Sequence, residues 1–232
     1  LFVACCACKK TPAEQITPMV TLSFVHNLVE SNSMVRSASN DFLDIIESHT
    51  PQVVSVTLKN TDLDKTYYCK SNEQITLPVG NYEIIASGCE LSSSENTIIG
   101  NIKKRPSVKQ SKTLINVTSA TKSITLNLSY DCYAIFALID ECRACGASVS
   151  DYQFSKVDKY FVAYAVDTAT IYLEPYEDST EFISTQVKFV TTYDTTNIFA
   201  EFGKYYVIHP TKVDKANSAF ETNIPPMEEG EI

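Results

Sequence analysis

The chain has 232 residues, 44% of them hydrophobic, and a formal net charge of −9. That length allows one large or two modest globular domains with a real core. The negative sign argues against nucleic acid, whose phosphates demand a basic face, and against electrostatic binding to an anionic bilayer.

The first ten residues, Leu1-Phe2-Val3-Ala4-Cys5-Cys6-Ala7-Cys8-Lys9-Lys10, form an apolar run that stops at cysteines and two lysines. It is too short to span a bilayer, which takes about twenty apolar residues. With Leu rather than Met at its start, it reads as the tail of a secretory signal. The small Ala4 before Cys5, with Val3 and Phe2 upstream, resembles the lipobox of bacterial lipoproteins. That resemblance implies acylation and a membrane-lipid anchor at Cys5, with Cys8 behind Ala7 as the alternative. Two or three acyl chains hold a protein on a membrane far more firmly than one. No long apolar run follows Lys10, so attachment rests on lipid.

Residues 11–18 are polar, carry two prolines and read as a tether. Residues 19–26 alternate Val20, Leu22 and Phe24 against Thr21, Ser23 and Val25, the period-2 pattern of a half-buried strand. A Ser/Asn-rich loop over 31–40 contains Arg36. Phe42, Ile45 and Ile46 then take helical spacing over 41–48, with Asn40 as cap. Strands are expected over 51–59 and 66–70, around the turn residues Asn60 to Asp64. In Leu77-Pro78-Val79-Gly80-Asn81-Tyr82-Glu83-Ile84, two strand runs flank a turn where Gly or Asn can take positive φ. Residues 91–110 read as a polar loop grouping Lys103, Lys104, Arg105 and Lys109.

Strands resume over 112–118, 123–130 and 132–139. The last is apolar on both faces and belongs at the centre of a sheet. Residues 140–155 read as a loop with a soft domain boundary. Strands follow over 159–166, 170–174, 185–192 and 204–209, and the tail either adds an edge strand near 219–224 or hangs free. Short strands separated by turn signals, with 13 Tyr and 11 Phe but no Trp, point to an all-β fold.

Catalytic and metal chemistry is hard to find. His26, His49 and His209 lack metal-ligand partners at helical spacing, and six glycines supply no phosphate-cradling loop or nucleophile elbow. Cys142 and Cys145 have the spacing of a zinc half-site or redox pair, but no second pair accompanies them. They read as loop cysteines or one simple disulfide. Asp62 and Asp64 lack the further oxygen ligands of a calcium site. The expectation is therefore no enzyme, no metal and no cofactor. In the adjacent pairs Tyr67/Tyr68 and Tyr205/Tyr206, one ring should point in and one out.

Three features together resemble Bacteroidales surface lipoproteins. They are the lipobox followed by Lys-Lys, the Leu77-Pro78-Val79-Gly80-Asn81-Tyr82 hairpin of transthyretin-like and fimbrillin-like sandwiches, and Gly203-Lys204-Tyr205-Tyr206-Val207-Ile208. The resemblance implies a lipid-anchored, outward-facing outer-membrane protein. It would consist of one or two packed β-sandwich domains with one short helix. The expected order is a signal tail and lipobox over 1–10, a tether over 11–18, a β-sandwich over 19–140 and a smaller β-domain over 150–232. It also implies O-glycosylation of the Asp-Ser/Thr triplets at Thr168, Ser179 and Thr195. Processing after Arg36 would follow the fimbrillin pattern. The function expected first is that of an accessory subunit in a nutrient-uptake porin–lipoprotein complex. The alternatives are a fimbrillin-like pilus subunit or anchor, and a glycan- or peptide-binding surface domain.

Overall fold

The computed structural model describes residues 17–28, 41–88, 101–146, 154–174, 185–209 and 227–231. Its one helix among these, α1, spans Asp41–His49. The strands are β1 (Met19–Leu28), β2 (Ser55–Asn60), β3 (Lys65–Lys70), β4 (Ile75–Pro78), β5 (Gly80–Gly88), β6 (Ile102–Lys103), β7 (Val108–Val117) and β8 (Ser123–Tyr130). They continue as β9 (Tyr133–Leu138), β10 (Ala144–Gly146), β11 (Ser155–Val157), β12 (Tyr160–Ala165), β13 (Ala169–Glu174), β14 (Thr185–Val190), β15 (Ile198–Phe199), β16 (Lys204–Ile208) and β17 (Met227–Glu231). The described residues are all-β with one short helix, the strands as composition and turn spacing predict and the helix as the spacing of Phe42, Ile45 and Ile46 predicts.

Alternation decides which faces meet. One sheet runs β3-β2-β5-β7-β8-β1-β4. Its inward residues, among them Leu22, Val56, Leu58, Tyr82, Ile84 and Leu126, form the first core. A second sheet runs β11-β12-β9-β16-β17, and a third runs β10-β13-β14-β15. β9 is buried on both faces, as its unbroken apolar run predicts. Ala134 and Phe136 join the first core, whereas Tyr133, Ile135 and Ala137 face the second core against β13 and β14.

The helix lies where these layers meet. Nine residues are too few for an isolated helix in water, so packing holds it. Ile45 and Ile46 are buried, and the Phe42 ring sits 4.9 Å from Phe136, 4.8 Å from Tyr160 and 5.2 Å from Tyr205. Lys159 adds an ion pair to Asp41 at 3.0 Å.

Several expectations need correction. β4 and β5 do not form a hairpin: β4 pairs with β1, and β5 pairs with β2 and β7. Val79 alone separates them, and a tight hairpin needs a loop of at least two residues. The segment is instead a corner within one sheet, leading from β4 at its end, beside β1, to β5 between β2 and β7. Gly80 turns it at φ 150°, and a Cβ there would lie 2.9 Å from Asp62 Oδ2. The Tyr82 hydroxyl then donates to the Pro78 carbonyl at 2.7 Å, locking the corner. Residues 108–110, read as loop, begin β7. The last strand is Met227–Glu231, and 219–224 lie outside the described residues. Tyr67 does face inward while Tyr68 is exposed, but Tyr205 and Tyr206 are both buried, because cores cover both faces of β16.

Candidate strand-exchange site

The first strand divides its pairing between two partners. Met19 to Leu22 run antiparallel to β4, with Val20 opposite Leu77 and Leu22 opposite Ile75. Ser23 to Leu28 run parallel to β8, with Phe24 opposite Ile124, His26 opposite Leu126 and Leu28 opposite Leu128. The period of two puts Val20, Leu22, Phe24, His26 and Leu28 on one face. Val20 and Leu22 are buried, and Phe24 and Leu28 pack partly buried against the first core. Met19 and Val25 face solvent.

Polar contacts fix this register. The Val79 N–H donates to the Pro18 carbonyl at 2.8 Å, and the Ser23 N–H to the Lys122 carbonyl at 3.0 Å. The hydroxyls of Thr21 and Thr76 hydrogen-bond at 2.7 Å, and Asn27 Nδ2 donates to Asn127 Oδ1 at 2.9 Å. Fully burying one aliphatic side chain contributes about 1.5–3 kcal/mol. Val20 and Leu22 together therefore contribute roughly 3–6 kcal/mol. An emptied groove would expose Leu77, Ile124, Leu126 and Leu128, so it calls for another apolar-alternating strand.

The described chain on either side of residues 29–40 is held by different contacts. β1 ends at Leu28 inside its sheet, while α1 begins at Asp41 and is anchored by Phe42 and the Asp41–Lys159 pair. A cut between them would sever β1 from α1 while leaving the Phe42 ring contacts and the Asp41–Lys159 pair in place.

Cys5, Cys8, Arg36 and Ser179 lie outside the described residues. Thr168 is half-buried between β12 and β13; its N–H donates to Asp167 Oδ1 at 2.7 Å, and its carbonyl accepts from Asn101 Nδ2 at 2.9 Å. Thr195 is exposed in the link from β14 to β15. No group of three or more metal-ligating side chains gathers among the described residues. Asp62 Oδ2 accepts from the Asn81 N–H at 2.8 Å, and Asp64 pairs with Lys59 at 3.0 Å, so the two acids serve separate local bonds.

The histidines also have separate partners. His49 Nδ1 lies 2.8 Å from the Tyr164 hydroxyl; burial, then the nearby Arg105 charge, pushes its pKa down. His209 Nδ1 lies 2.6 Å from Glu141 Oε2. Cys69, Cys132 and Cys142 form no disulfide. Burial, then the charge of Glu141, pushes the Cys142 thiol up to about 12, which keeps it protonated and a poor nucleophile or ligand.

No family model and no curated protein matches this chain. Among solved structures it is similar to a fimbrial assembly protein from Parabacteroides distasonis, at 12% identity and TM-score 0.43, over 82% of this chain and 90% of that one. It is also similar to a candidate cell adhesion protein from Bacteroides fragilis, at 8% identity and TM-score 0.39, over 93% and 98%. Identities and TM-scores this low assign neither family nor activity.

Sequence reasoning found β1 but not its partners. Met19 to His26 announce a strand by alternation, yet nothing local marks a parallel pairing with β8, about a hundred residues away. The Tyr82–Pro78 lock was visible only as a motif.

Proposed function

We propose that this chain is a non-enzymatic, fimbrillin-like surface subunit or anchor that joins its neighbours by strand exchange at β1. The observation supporting this reading is that β1 inserts an apolar row into the first core and ends before a helix that is anchored on its own. Acylation at Cys5, or at Cys8, would tether the precursor to the outer membrane, facing outward. Processing after Arg36 would then release β1, and the vacated groove between β4 and β8 would accept a strand from a partner subunit. Main-chain hydrogen bonds would supply affinity, and the alternating pockets would supply specificity. The accessory role in a nutrient-uptake complex differs in one respect: such a subunit would keep β1 seated and stay discrete.

Purification from detergent-solubilised membranes followed by intact mass spectrometry separates the two. Strand exchange predicts high-mass assemblies whose subunits begin at Ser37, with acyl mass on the uncut precursor. A discrete, uncut chain carrying lipid and accompanied by a porin would instead establish the accessory role and reject exchange.

A further inference from the structure

The outward face of the sheet built from β13, β14 and β15 carries a small aromatic surface. Alternation buries Val187, Phe189 and Ile198 in the second core and turns Gln186, Lys188 and Phe199 outward. Tyr172 stands opposite Gln186, whose Nε2 donates to the Tyr172 hydroxyl at 3.2 Å. Tyr193, in the link from β14 to β15, is 76% exposed and meets Phe199 at 6.1 Å between centroids and 65° between planes. Such edge-to-face contact fixes both rings while leaving ring surface open.

The residues that follow Tyr193 are tied down. Asp194 Oδ1 accepts from the Thr196 N–H at 2.8 Å and from the Thr196 hydroxyl at 2.7 Å, and its Oδ2 accepts from Asn197 Nδ2 at 2.8 Å. These bonds, with a smaller contribution from the Lys188 charge, hold the Asp194 carboxylate ionised. The aromatic corner is thus edged by hydroxyl and amide groups and by charges of opposite sign, with no run of exposed aliphatic residues.

Size and chemistry select the occupant. Two partly exposed rings offer far less than the roughly 1,000 Å² that a stable protein interface requires. They match a single six-membered ring. Its face must be apolar enough to lie on an aromatic, and its rim must carry hydroxyls for Thr195, Asn197 and the Tyr193 hydroxyl. Opposite charges on Lys188 and Asp194 favour a ligand without net charge. We propose that Tyr193 and Phe199 form a binding site for a neutral pyranose, with the sugar's C–H face on Tyr193 and its hydroxyls met by the 194–197 turn. This site lies apart from β1 and acts whether or not β1 is exchanged.

The test uses the uncut chain and saturation-transfer NMR. The probes are methyl β-D-galactopyranoside, methyl β-D-glucopyranoside, methyl α-L-fucopyranoside and N-acetyl-D-glucosamine, with cyclohexanol as the apolar control. The expected result is saturable binding of at least one sugar, weakened about fivefold or more by Tyr193→Ala. Asn197→Ala should weaken it less, and Tyr68→Ala, on the first sheet, should leave it unchanged. Tyr193 is exposed, so the variant keeps its thermal midpoint, and that measurement separates lost binding from lost folding. The proposal is overturned if no sugar binds saturably, if Tyr193→Ala binds as well as the parent, or if cyclohexanol binds equally.

Discussion

Leu22 and Val25 sit three residues apart on β1 and face opposite ways: Leu22 is 1% exposed and Val25 is 52% exposed. Truncating Leu22 to Ala removes buried methyls opposite Ile75 and leaves a cavity at the edge of the first core. Substitutions of that kind cost about 2–5 kcal/mol. Val25 is already half in water, so Val25→Ala should stay within about 0.5 kcal/mol. For a chain of this length each kcal/mol lowers the thermal midpoint by about 2–4 °C, so Leu22→Ala should lower it by roughly 4–20 °C. Urea titration followed by far-UV circular dichroism measures both variants. Equal losses, or a larger loss for Val25→Ala, would refute the reasoning: a one-residue slip in register sends every inward side chain outward. The same face rule applies to any strand that replaces β1, which must offer apolar residues at alternate positions.

Other outcomes follow from the corner, the helix and the buried thiol. Tyr82→Phe removes the bond to the Pro78 carbonyl and should cost about 1–2 kcal/mol by urea titration; no loss would mean the corner is held by packing alone. Gly80→Ala should also destabilise, because Asp62 Oδ2 and the positive φ both oppose a Cβ. His49 has a lowered pKa in the fold, so the unfolded chain binds its proton more readily. Its contribution to stability is therefore constant above the ordinary imidazole value of 6.5, falls as pH drops below it and levels off beneath the folded-state pKa. Thermal midpoints from pH 5 to 8 should show that slope, and His49→Gln should flatten it. Cys142, buried and pushed up to about 12, should resist iodoacetamide in the native chain and react once urea unfolds it, as peptide mass mapping would show.

Much of this architecture is written in local periodicity. Alternation marked β1, an unbroken apolar run marked the doubly buried β9, and helical spacing marked α1 to within a residue of its end. What escaped depends on contacts distant in sequence. Leu77 to Ile84 look like a hairpin because both arms are strand-like, but where each arm pairs is decided by β1, β2 and β7. Tyr205 and Tyr206 alternate as expected, yet neither reaches solvent, since a second layer covers the face that a simple two-layer reading leaves open. Of the candidate site, the inward row of β1 was legible through Phe24. The division between β4 and β8 was not, because backbone pairing leaves no mark on the strand's own residues. Tyr193 and Phe199 carry no motif, and only the turn at Asp194 brings their rings together.

Strand exchange at β1 is tested most directly in a chain carrying Arg105→Lys and Arg143→Lys, which leaves Arg36 as its one arginine, by cutting it with an arginine-specific protease and following its mass in solution. Separate samples would contain excess synthetic peptide spanning residues 17–28. The account predicts subunits beginning at Ser37 that release β1 and grow into polymers, with the peptide holding them as monomers by refilling the groove. A cut chain that keeps β1 bound, or loses it and stays monomeric and folded without the peptide, would contradict it.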